Sequence, residues 1–396
     1  MRHEIGPSAE IPLARPEIGA REEELVLEVL RSGRLSLGPM GERFERAFAG
    51  WLGVEDAVAV SSGTTALHLG VRALGWGPGD EVLTSPFSFV ASANCLIYEG
   101  ARPVFCDVDP ETLNLDPAAA AAAVGERTVG VLPIHIFGYP AAMAELEALA
   151  AKHDLGLLED ACEALGAVDS DGTKVGARGN LATFAFYANK QLTTGEGGMI
   201  VPRNADEAAR LRSERNQGRA VDMGWLDHDR LGFNYRLSDV AAALGVAQLE
   251  KLDKMLAARS DVAALYEEAL SQADFVVSPA YRDKPRTHRG VVPNAGIGRE
   301  RRSWFVYVVQ LPEGVDRDAT IARLAERGIA SKAYLPCIHL FPHLRELGYR
   351  EGQFPVAEAA SARSLALPFF PAMTEGQVDR VCQELAEALG QGAIRE

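Results

Sequence analysis

Apolar runs of strand length alternate with helix-patterned segments along the chain up to about residue 250. The runs are Asp56–Ser61, Asp80–Thr84, Arg102–Val108, Thr128–Ile134, Asp154–Glu159, Leu181–Tyr187 and Met199–Val201. Near-continuous apolar runs with helices between them predict a mostly parallel sheet covered on both faces. The helical segments include Thr64–Leu74, which opens after Ser-Gly, Ala141–Lys152, which follows a Gly-Tyr-Pro turn, and Arg236–Asp253. Their apolar residues recur at helical spacing.

Beyond about residue 255 the texture changes. Glu250–Leu270 reads as a long helix, Trp304–Leu311 as a strand and Arg317–Arg327 as a helix. A last helix begins at Thr374, which forms a capping-box pattern with Gln377 ahead of the stripe Val378, Val381, Leu385 and Leu389. At about 150 residues per domain, a chain of 396 residues suits two units. The expected division is a large unit over residues 1–254 and a smaller α+β unit over residues 255–396. Ala118–Ala123 reads as a surface helix.

Composition narrows the partners. Forty Lys and Arg against 55 Asp and Glu leave a formal charge of −15, which argues against nucleic acid and anionic membranes, whose phosphates demand basic surfaces. From Arg282 to Arg302, however, seven Lys and Arg stand against Asp283 and Glu300, a local excess suited to a diphosphate. The five cysteines show no pairing or metal-ligand spacing and predict reduced, mostly buried thiols and no metal site. No stretch approaches the roughly 18 apolar residues of a membrane helix and no secretory signal is visible, so the expectation is a cytoplasmic protein.

In an open parallel sheet, ligands bind beyond the carboxyl ends of the strands. Four such ends carry polar groups: Ser62-Gly63-Thr64-Thr65, His135, Glu159-Asp160 and Asn189-Lys190. Ser-Gly-Thr-Thr at a helix start offers amides, hydroxyls and a positive dipole end to a phosphate. Neither a P-loop nor a dinucleotide fingerprint is present, so the phosphate is a small cofactor's. A strand-end carboxylate can keep a heteroaromatic nitrogen protonated, and a strand-end lysine can act as a nucleophilic amine. A phosphate cradle, a carboxylate and a lysine at one sheet edge describe a site for pyridoxal phosphate (PLP).

With these features the chain resembles the DegT/StrS family of PLP-dependent sugar-nucleotide aminotransferases. The likeness runs from about Ile11 to the last helix, through Gly33–Val54, SSGTTALHL (Ser61–Leu69), Phe87–Asp109, EDACEALGA (Glu159–Ala167), FAFYANKQLTTGEGGMI (Phe184–Ile200), Leu231–Asp253 and Phe354–Pro371. The resemblance implies the aspartate-aminotransferase-like fold (fold type I), with a mostly parallel seven-stranded sheet. It implies that Lys190 forms the Schiff base and moves the proton, that Asp160 holds the pyridine nitrogen protonated, and that Glu163 lies near the ring hydroxyl. Phe89 stacks on the ring, Gly63, Thr64 and Thr65 hold the phosphate, and Asn234 reaches it from the neighbouring subunit of a homodimer. His135, Arg236 and His339, with Phe341 beside it, are the implied substrate-side residues. Many relatives have serine five residues before the lysine, where this chain has Ala185. Dehydratases of this fold carry histidine in place of the lysine, so Lys190 favours transamination.

The implied reaction is ping-pong. Glutamate converts PLP to the pyridoxamine phosphate form, which aminates a nucleotide-linked keto-sugar, with carbon 4 of a 4-keto-6-deoxy sugar the nearest match. Two alternatives remain at this point: another PLP enzyme such as an aldolase or lyase, and a non-catalytic regulator of the same fold that binds PLP or a sugar. An intact Lys190 and Asp160 pair, which a sensor need not keep, weighs against the regulator.

Overall fold

A computed structural model describes residues 10–220, 227–271 and 301–390. The runs foreseen from the pattern become β1 (Val58–Val60), β2 (Glu81–Thr84), β3 (Arg102–Phe105), β4 (Thr128–Leu132), β5 (Gly156–Asp160), β6 (Leu181–Ala185) and β7 (Gly198–Val201). They form one seven-stranded sheet in the order β1-β7-β6-β5-β4-β2-β3. The neighbours from β6 through β5, β4 and β2 to β3 are parallel. β7 runs antiparallel to both β6 and β1.

Alternation along the strands divides the core between the two faces of this sheet. Val58, Val60, Leu158, Leu181 and Ile200 pack with Leu67 and Val71 of the Gly63–Leu74 helix. On the opposite face Ala57, Ala59, Ala182, Phe184 and Met199 meet Phe44 and Phe48 of the Pro39–Leu52 helix and Ala243 and Val246 of the Asp239–Glu250 helix. Phe184 and Phe48 pack edge to face with ring centroids 5.2 Å apart. Burial of such side chains contributes about 1.5–3 kcal/mol each.

Three further strands, β8 (Tyr307–Gln310), β9 (Lys332–Ala333) and β10 (Ser364–Leu367), form a separate antiparallel sheet in the order β8-β10-β9. Tyr307, Val309, Leu365 and Leu367 cover the Leu252–Leu270 and Glu375–Ala388 helices. Thr374 caps the latter as expected, with Gln377 returning the capping-box bond. The sequence pattern missed β10, because SLAL is followed at once by Pro368 and reads as a loop. The long segment read as Arg236–Asp253 starts later, at Asp239, where Ser238 accepts a hydrogen bond from the Ala241 N–H. Ala118–Ala123 lies in the Pro117–Ala123 helix, although Ala120 is buried rather than superficial.

All five cysteines are free thiols, with Cys162 partly exposed and the others buried. Among the described residues no helix is long and apolar enough to cross a membrane, and no cluster of ligating side chains could hold a metal ion. Residues 282–300 of the basic stretch lie outside the described residues. Of its two last members, Arg301 pairs with Val168 through main-chain bonds, and Arg302 donates to the Phe137 carbonyl and stacks on Trp304 at 4.1 Å.

Candidate active site

The carboxyl ends of β1, β5 and β6 converge. Gly63, the first residue of the helix after β1, approaches β6 so closely that an added Cβ would stand 2.6 Å from the Ala185 Cβ and 3.1 Å from the Cys162 Sγ. Only glycine permits that contact. Ala185 is thus the floor beneath the helix start, five residues before Lys190, and Cys162 follows two residues after Asp160.

The helix start is built from its own side chains. Ser62 Oγ accepts from the Thr65 N–H at 3.1 Å, and Thr65 Oγ1 accepts from the Ser62 N–H at 3.0 Å while donating to the Ser62 carbonyl at 2.8 Å. Thr65 is therefore committed to the cap. Gly63 and Thr64 occupy the first positions, whose N–H groups have no partner within a helix, and Thr64 is half-buried. Dipole and amides there favour an anion.

Asp160 ends β5, and its side chain is buried. Its Oδ2 accepts from Ser92 Oγ at 2.8 Å, Ser92 Oγ lies 2.9 Å from Ser88 Oγ, and its Oδ1 accepts from the Cys162 N–H at 3.1 Å. Glu163 is also buried and accepts from the Phe137 N–H at 2.9 Å. Lys190 Nζ stands 3.6 Å from Glu163 Oε1 and 3.8 Å from the centroid of the Phe305 ring. Burial pushes the Glu163 carboxyl above its ordinary range, opposed by the Lys190 ammonium. Burial, then the Asp160 charge, pushes the Cys162 thiol well up, so it is an inert neighbour rather than a nucleophile.

Phe89, just before the Ala91–Tyr98 helix, leaves 62% of its surface exposed. Asn234 is exposed on a loop whose flanking rings, Phe233 and Tyr235, stack at 4.9 Å and are anchored by Arg72 and His68. Arg236 donates to Asn216 Oδ1 at 2.9 Å beside that loop.

The two histidines expected on the substrate side lie elsewhere. His135 is fully buried: its Nδ1 accepts from the Ala141 N–H at 2.9 Å, and its Nε2 faces Glu159 Oε2 at 3.4 Å. Glu159 precedes Asp160 on β5 and points to the other face of the sheet, so the His135 side chain is turned away from Lys190. His339 is likewise buried, 3.2 Å from Glu358 Oε1 and packed on the Phe105 and Phe354 rings, with Phe341 partly buried in the same cluster. Burial outweighs Glu358 and lowers its pKa, leaving a neutral packing residue.

Sequence reasoning missed Ser92, Phe305 and Arg259. Arg259 donates to the main-chain carbonyls of Phe305 and Lys190. Ser92 sits one residue into a short helix and Arg259 seven residues into a long one, where nothing local distinguishes them from solvated positions.

The chain is similar to known proteins over most of its length. Over 96% of its length the chain is 38% identical to the GDP-perosamine synthase of Caulobacter vibrioides, 98% of which is matched. It is 36% identical to the spore coat polysaccharide biosynthesis protein SpsC of Bacillus subtilis, with 95% of this chain and 96% of that protein covered. The crystal structure of DesV from S. venezuelae in complex with a ketimine intermediate superposes with a TM-score of 0.84 at 34% identity, covering 93% of this chain and 94% of that one. Residues 16–386 match the family model itself, and the chain belongs to the DegT/DnrJ/EryC1/StrS aminotransferase family.

Proposed function

We propose that this chain uses PLP bound to Lys190 to transfer the amino group of glutamate to carbon 4 of a nucleotide-linked 4-keto-6-deoxy sugar, acting in the cytoplasm as a homodimer. The observation that carries the reading is the charge balance around Lys190. The Lys190 ammonium pairs with buried Glu163, while buried Asp160 accepts only from the neutral Ser92 hydroxyl and Cys162 N–H and so has no positive partner of its own among the described residues. The protonated pyridine nitrogen of PLP would supply that partner, and the residues present fit the cofactor.

When bound, PLP supplies the electron sink that lets a proton leave the donor's α-carbon. The chain's residues supply the rest. Lys190 Nζ accepts that proton and returns it, and the Phe305 face keeps the amine directed inward. Ser92 and the Cys162 amide hold the Asp160 carboxyl fixed in orientation, because both donate to it. The amides of Gly63 and Thr64 take the phosphate without a cationic side chain. Exposed Phe89 offers its ring as a lid.

A second copy is supported by Asn234, which is exposed, and by Leu35 and Leu37, which leave 49% and 57% of their surface open beside the Ser36–Ser238 bridge. On this reading residues 1–254 hold the cofactor and residues 255–396 close over it through Phe305. The likeness to a synthase of a GDP-linked product supports a nucleotide-linked acceptor.

The test is a panel of UDP-, GDP- and dTDP-linked 3- and 4-keto sugars with glutamate and PLP. Consumption of glutamate with a 4-keto sugar supports the reading. Turnover with 3-keto sugars alone overturns the regiochemistry, and no turnover with any member overturns the acceptor class.

A further inference from the structure

Arg259 is 4% exposed, yet its guanidinium faces no carboxylate within ion-pair distance among the described residues. Its Nη1 donates to the Phe305 carbonyl at 3.2 Å and its Nη2 to the Lys190 carbonyl at 3.3 Å. Its Nε is buried with no partner, and the group lies 5.6 Å over the Phe369 ring. Burial alone depresses its pKa to about 10. By contrast Arg178 meets Glu147, Asp169 and Asp171.

A buried charge without a counter-ion costs several kcal/mol, and two long hydrogen bonds to neutral carbonyls recover only part of that. An apolar side chain of similar length would serve stability better. What the guanidinium does, and an apolar group cannot, is hold two carbonyls at one spacing. Those carbonyls belong to Lys190, whose amine lies on the Phe305 ring, and to Phe305 itself.

We propose that Arg259 is a positioning residue for Lys190: its planar fork locks the Lys190 turn to the Phe305 segment, so that the amine stays on the ring face and within reach of Glu163. The proposal rests on the reading of Lys190 as the PLP-binding amine. It deepens that reading by assigning the orientation of the amine to a residue that touches neither cofactor nor substrate. The fork thus joins the Leu252–Leu270 helix to the lysine turn and to the residues before β8.

The test compares wild type with Arg259→Met and Arg259→Lys. Three readouts apply: the thermal midpoint of the apo protein, the visible circular dichroism of added PLP, and the single-turnover rate with glutamate. Arg259→Met is expected to melt at or above the wild-type midpoint, to lose most of the visible dichroic signal, and to react about 10- to 100-fold more slowly with little change in the glutamate KM. Arg259→Lys, which keeps a donor, recovers part of both signals. A lower midpoint in Arg259→Met together with unchanged dichroism and rate overturns the proposal, as does a loss of stability and rate together that lysine fails to rescue. A wild type that shows no visible band with PLP overturns the underlying reading instead.

Discussion

Glu159 and Asp160 are consecutive residues of one strand, both buried and both acidic, yet they face opposite sides of the sheet and meet different surroundings. Glu159 accepts from the Gly176 N–H and Asn180 Nδ2, each at 3.1 Å, and faces His135. The Gly176 and Asn180 donors serve Glu159, His135 Nε2 at 3.4 Å makes no hydrogen bond, and both side chains are wholly shut off from solvent. On the Asp160 side, Glu163 takes the Lys190 ammonium, Asp160 has only the Ser92 hydroxyl and the Cys162 N–H for partners, Phe89 is exposed, and a helix starts at Gly63. A buried carboxylate with no cation of its own, beside an exposed ring and a helix start, marks a candidate ligand site.

This contrast can be broken by exchanging the two carboxylates for neutral groups. Asp160→Asn keeps the shape and removes the charge, so turnover is expected to fall about 100-fold or more while the thermal midpoint stays within a few degrees. Steady-state rates beside a melting curve check it, and undiminished turnover would remove Asp160 from the chemistry. Glu159→Ala is expected to do the reverse. It strands the Gly176 amide, Asn180 and His135 and costs about 2–4 kcal/mol, with turnover per folded molecule changed less than about threefold. Urea unfolding followed with activity checks this, and a rate loss without a stability loss would contradict it.

A smaller effect sharpens the comparison within the open side. Burial raises the Glu163 pKa in the folded state, so its stabilising contribution is fully present below the unfolded value of about 4.3 and is lost as the pH rises through the folded value. Glu163→Gln mimics the neutral acid. In apo protein its stability relative to wild type is therefore expected to rise with pH above about 4.3 and then level off. Melting curves against pH check it, and a difference independent of pH would contradict it.

How much of this was legible in the sequence follows the same division. Each of the seven strands of the large sheet falls inside or within a residue of an apolar run, because strands buried on both faces must be apolar throughout. The strand ends carrying Gly63, Asp160 and Lys190 stood out because topology obliges chemistry to gather there. His135 stood at an equally suitable end, but which side a strand-end residue faces depends on twist and loop path, and its ring turned to Glu159. His339 matched a motif, yet it packs on Phe105 from β3, far away in sequence. Ser92 and Arg259 act through contacts 68 and 69 residues away, which no local pattern encodes.

The most direct test is to reduce the PLP-treated protein with borohydride and map the modified peptide by mass spectrometry. The account predicts a pyridoxyl group on Lys190, and its absence when glutamate is added before the reductant. Modification of a different lysine, or none at all, would contradict it.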